Sequence, residues 1–381
     1  MALTGDPDGP PLAPDTTAAS LADDLLAPFG LDAGVLAERA AHLGLQRAGL
    51  LSCGGATALL EGSDGWMALA LPRPDDLHMV PALLGIEMPE ADPWPPVTAA
   101  VRHRPVDEVV DQAVLLGMAA GRVGASAEAA VSVEGAPRAR SGTAAHPVVA
   151  DLSALWAGPL CSHLLQRAGA TVVKVESTPR PDGARSGVGS FFDLLNHGKA
   201  SVSVDLTTPE GRAHLARLVE TADIVITSSR RRAFDQLGLE PNAFLAGGAD
   251  RVWVAVTGHG WQHDRVGFGD DAAATAGLVA WGADGRPRFA ADAIADPLCG
   301  TLAAHHALEC WHAGGRWFID APLAGAARRC VPAGGTGTAL AAGAVGDGGW
   351  AIDEERVAPP QRREADGPAE ALGASTRRIT G

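Results

Sequence analysis

The feature that most constrains the fold is an alternation of short β-branched runs and amphipathic helices between residues 148 and 257. The apolar runs occupy residues 148–152, 171–176, 201–206, 223–227 and 251–257. Strands that alternate with helices at this rhythm predict a parallel sheet covered on both faces. We therefore predict an α/β fold, with a Rossmann-like parallel sheet in a large domain and a second, smaller α/β domain. Ligands of such sheets bind beyond the carboxyl ends of the strands.

Composition shifts divide the 381 residues into segments. Residues 1–19 are rich in proline, aspartate and glycine and are predicted to be a disordered tail. Residues 20–126 form a region like a small domain, with a hairpin at 56–71 and helices near 75–84 and 106–117. Residues 127–146 are predicted to be an exposed linker, 147–330 the large domain, and 331–381 a segment that returns to it.

Charge and cysteine content exclude several classes of protein. The 30 Lys and Arg against 45 Asp and Glu give a net charge of −15, which opposes binding to nucleic acid. The five cysteines form no CxxC pair and indicate a reducing compartment. The amino terminus lacks the pattern of a signal peptide, and no apolar run is long enough to span a bilayer. We expect a cytoplasmic protein with no membrane or nucleic-acid partner.

Common cofactor motifs are missing from the expected places. The turn after the first strand of the alternation holds one glycine, so the GxGxxG pattern of dinucleotide-binding enzymes is absent. Walker A and GxSxG motifs are absent as well. His306 and Cys310 share a helix face, but no second ligand cluster accompanies them, and we predict no metal site.

Several motifs in fixed order point to one family. They are 151-DLSALWAGP-159, 168-AGATVVKVE-176, Asp182 with Arg185, 196-NHGKASVSVDL-206, 222-ADIVI-226, 257-TGHG-260 and 294-IADPLCG-300. Together they resemble the class III CoA-transferase family, also called the CaiB/BaiF family, which includes formyl-CoA transferase and α-methylacyl-CoA racemase. The resemblance implies a homodimer whose substrates are an acyl-CoA and a carboxylic acid, with no cofactor besides the CoA thioester.

The order of segments departs from the family pattern. In the family, a small α/β domain is inserted after the large domain, before the closing segment. Residues 320–350 are too short and too rich in glycine and alanine to supply it. Residues 63–76 resemble that small domain instead, which predicts a rearranged member with the small domain on the amino-terminal side.

The resemblance places the family's catalytic aspartate at Asp296. From the residues alone, Asp296 followed by Pro297 is typical of a helix N-cap and a first helical position, so the side chain either caps a helix or acts as the nucleophile. Asp292 is the competing candidate for the nucleophile. The implied reaction moves CoA between acids through an aspartyl anhydride and an aspartyl-CoA thioester.

Residues for CoA binding follow from the same motifs and from charge. They are Ala157, Gly158, Pro159, Arg185, Lys199, Arg230, Gly258 and Gly260, with Arg180 and the rest of the run 230–232 as further cations for the phosphates. An acyl-CoA racemase or isomerase is the first alternative, but its catalytic histidine falls at Phe268, and only His263 lies close in sequence. A catalytically inactive CoA-binding homologue is the second.

Overall fold

The computed structural model describes residues 1–87, 91–125, 130–140, 145–248, 250–346 and 348–380. The helices are α1 (Ala18–Leu26), α2 (Glu38–Leu43), α3 (Pro74–Leu84), α4 (Trp94–Val101), α5 (Val106–Leu115), α6 (Ala157–Arg167), α7 (Gly189–Asn196), α8 (Pro209–Thr221), α9 (Arg231–Leu237), α10 (Pro241–Ala246), α11 (Gly269–Thr275), α12 (Ala295–Ala313), α13 (Leu323–Arg328) and α14 (Thr376–Thr380).

The strands are β1 (Leu12–Ala13), β2 (Thr57–Gly62), β3 (Gly65–Ala70), β4 (Ala119–Arg122), β5 (Ser132–Ala136), β6 (Val148–Leu152), β7 (Thr171–Ser177), β8 (Ala200–Val204), β9 (Ile224–Thr227), β10 (Arg251–Thr257), β11 (Val279–Trp281), β12 (Pro287–Phe289), β13 (Arg316–Pro322), β14 (Leu340–Ala341), β15 (Gly343–Ala344), β16 (Trp350–Ile352) and β17 (Glu355–Arg356).

The main sheet has the order β5-β13-β10-β9-β6-β7-β8, and its strands run parallel except for the edge strand β5. The chain moves from β6 outward to β8 and then returns to β9 on the other side of β6. Strand order reverses between β6 and β9, which is where doubly wound sheets bind ligands. Here the Ala154 N–H donates to Ser228 Oγ at 3.0 Å. The predicted α/β class is confirmed.

Each central strand buries both of its faces, because alternate residues point to opposite sides. On β10, Val252 and Val254 pack into a core formed with α6 and α12. Trp253 and Ala255 enter the opposite core, to which α8 and α10 contribute. The sheet therefore lies between two helical layers.

A second, antiparallel sheet, β2-β3-β4, forms a unit with α3, α4 and α5. The predicted hairpin is confirmed: β2 pairs with β3 from Thr57 opposite Ala70 to Gly62 opposite Gly65. The opposite face of the sheet packs against the large unit, and a Cβ at Gly121 would overlap Thr275 Oγ1 on α11. The domain boundaries assigned above stay predictions.

The amino-terminal residues are packed, and the predicted disorder of residues 1–19 is wrong. Leu3 and Thr4 are buried, β1 pairs with β14, and Asp6 Oδ2 lies 2.8 Å from Arg288 Nη2. These partners lie about 280 or more residues away in the chain, so local composition does not reveal them.

The predicted linker is also partly ordered. Residues 132–136 form β5, which pairs antiparallel with β13 at the edge of the main sheet. Within this stretch, residues 127–129 and 141–144 lie outside the described residues. The exposed, polar composition fits an edge strand, since one of its sides has no neighbouring strand.

Two contacts show how the outer segments join the large unit. The Thr17 N–H and the Thr16 hydroxyl both donate to the Cys330 carbonyl, at 3.2 and 2.8 Å, so α1 begins where α13 ends. At the other end of the chain, the Ser375 N–H donates to the Ser201 carbonyl at 2.9 Å, beside β8. The first contact fits a rearranged order of segments.

None of the helices in the described ranges has the length and apolar character that crossing a bilayer requires.

Candidate functional site

Asp296 lies at the amino end of the 19-residue helix α12. The structure corrects its predicted position: Ile294 is the N-cap, Asp296 is the second helical residue, and no side-chain capping bond forms. Ile294 already has right-handed helical angles, although Ala293 does not, and the helix therefore starts upstream of the Asp-Pro pair. The capping role is therefore excluded, while the helix dipole still favours the ionised carboxylate.

Two other helices meet Asp296 at their own first residues. The backbone N–H groups of Ala157, the first residue of α6, and Gly269, the first residue of α11, face the carboxylate. A Cβ at Gly269 would overlap Asp296 Oδ2, and one at Gly300 would lie 2.5 Å from the Ala157 carbonyl oxygen. Both glycines are thus required for the close approach of these helices.

The surroundings of Asp296 adjust its charge. Burial raises the pKa of Asp296 to about 7, an effect that Asp292 reinforces and that Arg39 and the two N–H groups oppose. The residue as a whole is nevertheless only partly buried. A carboxylate of this kind is desolvated yet ionised in a large fraction of molecules near neutral pH, as a nucleophile requires.

The competing candidate, Asp292, is fully buried. Its Oδ1 accepts a hydrogen bond from Arg39 Nη1 at 3.1 Å, and its pKa is raised by burial. The ion pair and complete burial restrict access to the Asp292 carboxylate, whereas Asp296 is only partly buried.

The predicted glycines at the end of β10 lie close to the loop that enters α11. A Cβ at Gly258 would approach Gly267 N to 2.7 Å, and Gly260 adopts a left-handed φ of 111°. The loop continues through Phe268, the N-cap of α11, to Gly269. Ala157, Gly258 and Asp296 thus belong to neighbouring parts of one site, with Gly158 and Pro159 buried in the first turn of α6.

Lys199 is not available to a phosphate, which corrects the sequence prediction. Its side chain is 1% exposed, and Nζ lies 3.2 Å from Asp151 Oδ2 and 2.6 Å from Ser162 Oγ. Burial disfavours the charge of Asp151, but Lys199 and Lys174 outweigh it and lower the pKa of that carboxyl to about 2. For Lys199, burial is the larger effect: it disfavours the charged ammonium group and lowers the pKa to about 8. Both lysines of the chain are therefore buried ion-pair partners.

Arg185 is likewise held by the protein. Its Nε and Nη2 donate to the carboxylate of Glu176, at 2.8 and 2.6 Å, and its Nη1 donates to the Glu370 carbonyl at 3.2 Å. The guanidinium also stacks on Phe192, 4.4 Å from the ring centre. These contacts assign Arg185 to fixing the loop after β7 rather than to binding a ligand, which corrects its predicted role.

Arg230 belongs to a group of basic side chains that we call the arginine group: Arg73, Arg180, Arg230 and Arg232. Partial burial and the charges of the other three lower the pKa of Arg230. Asp264 is the nearby acid, 3.3 Å from Arg232 Nη1 and 3.9 Å from Arg230 Nε. Arg73 also binds Asp76. The group lies beyond the carboxyl ends of β7 and β9.

The arginine group adjoins the Asp296 site. The guanidinium of Arg73 lies 5.8 Å from the ring centre of Phe268, the residue that precedes Gly269. Arg73 therefore approaches the loop whose next residue, Gly269, faces the Asp296 carboxylate.

Two histidines of α12, the helix considered as a metal site, instead pair with an acid on the same helix. His305 Nε2 and His306 Nδ1 each lie 3.3 Å from a carboxylate oxygen of Glu309. Among the residues that the structure describes, no group of three or more His, Cys, Asp or Glu side chains is arranged to hold a metal ion.

Sequence reasoning missed three contributors to the site. Arg39 and Arg73 come from the amino-terminal part of the chain, and Arg39 lies 253 residues before its partner Asp292. Gly269 precedes two aspartates in a stretch that resembles a racemase motif. That resemblance indicated that the stretch belongs to the site, but it did not indicate that Gly269 contacts Asp296. No local pattern marks Arg39.

Comparisons with known proteins relate part of this chain to one family. Residues 145–314 match the family model described as CoA-transferase family III. Succinyl-CoA–D-citramalate CoA-transferase from Chloroflexus aurantiacus is 32% identical over 176 residues, 43% of this chain and 44% of that protein. Succinate–glutarate CoA-transferase from Agrobacterium fabrum is 29% identical over 170 residues, 40% of this chain and 42% of that protein. The chain thus spans less than half the length of these relatives.

A solved CaiB/BaiF family protein from Brucella suis is similar at 26% identity, with a TM-score of 0.43, over 48% of this chain and 53% of that one. The family match confirms the resemblance inferred from the motifs, over the matched segment.

Proposed function

Since residues 145–314 belong to CoA-transferase family III, we propose that the whole chain is an enzyme that moves CoA from an acyl-CoA thioester to a carboxylic acid. Asp296 is the nucleophile in this proposal. The observation that carries it is a partly accessible carboxylate at the meeting point of three helices, faced by two backbone N–H groups.

The reaction proceeds through covalent intermediates on Asp296. A carboxylate oxygen attacks the thioester carbonyl, the C–S bond breaks, and CoA thiolate leaves behind a mixed anhydride. The thiolate then attacks the aspartyl carbonyl and releases the donor acid, giving an aspartyl-CoA thioester. The acceptor carboxylate displaces the thiolate to form a second anhydride. Attack of the thiolate on the acceptor carbonyl finally yields the new acyl-CoA and free Asp296.

The N–H groups of Ala157 and Gly269 support two stages of this sequence. In the resting enzyme they favour the ionised carboxylate. When the aspartyl carbonyl is attacked, negative charge develops on its oxygen, and the same donors stabilise it without reorganisation. The substrate classes are an acyl-CoA and a carboxylic acid, with no cofactor besides the thioester. Homodimer formation and a cytoplasmic location stay predictions.

The arginine group supplies the charge that a polyphosphate ligand needs in an acidic protein. We expect Arg230→Gln to raise KM for an acyl-CoA about tenfold with little change in kcat, since a charge-assisted hydrogen bond contributes about 1.5–3 kcal/mol. The defect should vanish with an acyl-pantetheine thioester, which lacks the nucleotide phosphates.

The matched control for this measurement is Arg212→Gln, whose guanidinium donates to the Leu206 and Thr207 carbonyls on the other side of the sheet from α12. Steady-state kinetics with both thioesters separate the outcomes. Phosphate contact is not the cause if Arg230→Gln raises KM equally for acyl-CoA and acyl-pantetheine. The same holds if Arg212→Gln raises KM for acyl-CoA as much as Arg230→Gln does.

The racemase alternative lacks its proton-transfer group at the expected place, because Phe268 occupies it. His263, the nearby alternative, is an exposed side chain on the loop before α11. Solvent deuterium entering Cα of an acyl-CoA would favour racemisation over CoA transfer.

Chemical trapping tests the proposal directly. Incubation with an acyl-CoA and hydroxylamine should inactivate the enzyme and place a hydroxamate on Asp296, seen by mass spectrometry of the peptide containing it. Screening CoA thioesters against carboxylic-acid acceptors supplies the substrate pair. A chain that binds CoA thioesters across such a panel, yet neither exchanges CoA nor becomes labelled, is a binding protein, and the proposal is then wrong.

A further inference from the structure

Acidic groups crowd the site in a way that the transfer mechanism alone does not explain. The charge of Asp292 raises the pKa of both Asp296 and Asp270, and Asp296 adds to the effect on Asp270, whose pKa burial brings to about 7. Three carboxyl groups in a partly desolvated space cannot all ionise unless a cation offsets them. Within the described ranges, Arg39 is the cation that acts on all three.

Arg39 occupies a fixed position beside this acidic group. It lies on α2, with Nη1 3.1 Å from Asp292 Oδ1 and its guanidinium 5.7 Å from the ring centre of Trp156, the N-cap of α6. A Cβ on Gly54 would lie 3.2 Å from Nη2, so the loop at residue 54 passes close by. The guanidinium is therefore held between the Asp292 loop and the start of α6.

The loop that carries Asp292 has a strained backbone, and hydrogen bonds to residues of other segments hold it in place. Ala291 and Ala293, on either side of Asp292, have left-handed φ angles of 58° and 43°, which non-glycine residues adopt at an energetic cost. The Ala291 N–H donates to Thr4 Oγ1 at 2.9 Å, and the Ala293 N–H donates to Asp270 Oδ1 at 2.8 Å. With the ion pair of Arg39, these bonds fix a loop that ends three residues before Asp296.

We propose that Arg39, bound to Asp292, is a positioning residue of this enzyme: it fixes the loop that leads into α12 and keeps Asp296 in its ionised, nucleophilic form. The inference rests on the proposed role of Asp296. Arg39 and Thr4 lie outside the family-matched segment 145–314, so the amino-terminal part of the chain completes a site that the matched segment does not form by itself.

The groups that titrate around Arg39 can be named. Asp270, Asp292, Asp296 and Cys53 face it, and Asp271 and Cys299 interact with Asp296. Burial raises the pKa of Asp271 to about 8 and the pKa of both thiols far above neutrality. These thiols stay neutral, so the pH dependence near neutrality belongs to the coupled carboxyl groups.

The test compares Arg39→Gln and Arg39→Lys in the full-length protein. Since the reaction needs ionised Asp296, kcat/KM should fall as pH drops through an apparent pKa near 7 in the unmodified enzyme. Loss of the positive charge favours the protonated acid, so Arg39→Gln should move this acidic limb upward by about one pH unit. That shift means a rate about tenfold lower at pH 6 and nearly unchanged at pH 9. Arg39→Lys should stay close to the unmodified profile.

A control and a second readout separate charge from folding. Arg167→Gln removes a partly buried arginine at the opposite end of α6, where Nε donates to the Phe29 carbonyl, and should leave the pH profile in place. A rate loss in Arg39→Gln that is the same at every pH would overturn the proposal.

Carboxyl ¹³C NMR of aspartate-labelled protein follows the titration without any turnover. Assignment through Asp296→Asn identifies the resonance, and its midpoint should rise in Arg39→Gln. An unchanged midpoint rules out the role of Arg39 even in an active enzyme. Conversely, the titration midpoint of Asp296 could shift in a protein that exchanges no CoA. The proposed function would then be wrong, while the effect of Arg39 on the charge of Asp296 would be supported.

Discussion

Replacing Asp296 by Asn is expected to lower kcat/KM for CoA exchange between acids by ~1,000-fold or more, because the amide cannot form the anhydride or the aspartyl-CoA thioester. The fold should remain stable, since Asn has the same shape and removes a charge that burial disfavours. Steady-state exchange assays at pH 8, where most Asp296 is ionised, measure the effect. Hydroxylamine should no longer label the variant.

The neighbouring Asp292→Asn variant distinguishes the two candidates for the nucleophile. It breaks the ion pair with Arg39 but leaves Asp296 in place. We expect a smaller rate loss, on the order of tenfold, because the loop that leads into α12 loses its ion pair and Asp296 is held less firmly. Removing the negative charge of Asp292 should itself lower the pKa of Asp296 and favour the ionised form. Labelling of Asp296 should be retained. Labelling that disappears with Asp292 and persists without Asp296 would reverse the assignment.

Replacing Lys199 by Met is expected to destabilise the fold by about 3–5 kcal/mol, because it leaves the buried carboxylate of Asp151 without its nearest cation. Asp151 is fully buried, and its remaining partners are the backbone N–H of Ser153, the hydroxyls of Ser153 and Ser162, and the more distant Lys174. Urea unfolding with linear extrapolation measures the change.

The double variant Lys199→Met with Asp151→Asn is the control for this loss. Removing the stranded charge should recover part of the stability, so the two single losses should not add. A Lys199 variant with unchanged unfolding free energy but a raised KM for acyl-CoA would instead restore the phosphate role that the sequence predicted.

The success of the sequence analysis in the large unit has a physical cause. Strands such as β10 bury both faces, so apolar runs mark them, and the AGP turn marks the start of α6 through the special chemistry of proline. The motif around Asp296 marked it as the candidate nucleophile through family resemblance. The exact helix start was missed because Ile294 and Ala295, just upstream of Asp296, already adopt helical angles that no capping signal announces.

The roles of the cations show where local patterns stop being informative. Lys199 and Arg185 carry the charge that a phosphate needs, yet both are bound to acids of the protein itself. Whether a basic side chain faces solvent or a buried carboxylate depends on which elements pack beside it. Arg73 and Arg230 come from two different units of the structure and are near enough for their charges to interact, so their grouping was equally hidden.

The sequence by itself determined the doubly wound sheet, the resemblance of residues 145–314 to CoA-transferase family III and the choice of Asp296 as the proposed nucleophile, because burial periodicity and short motifs are local properties of a chain. Only the tertiary structure decided that Arg39 and Thr4 hold the Asp292 loop, that Ala157 and Gly269 face Asp296, and that both lysines are buried. These outcomes depend on contacts between residues far apart in the chain, whose energies exist only after the segments have packed together.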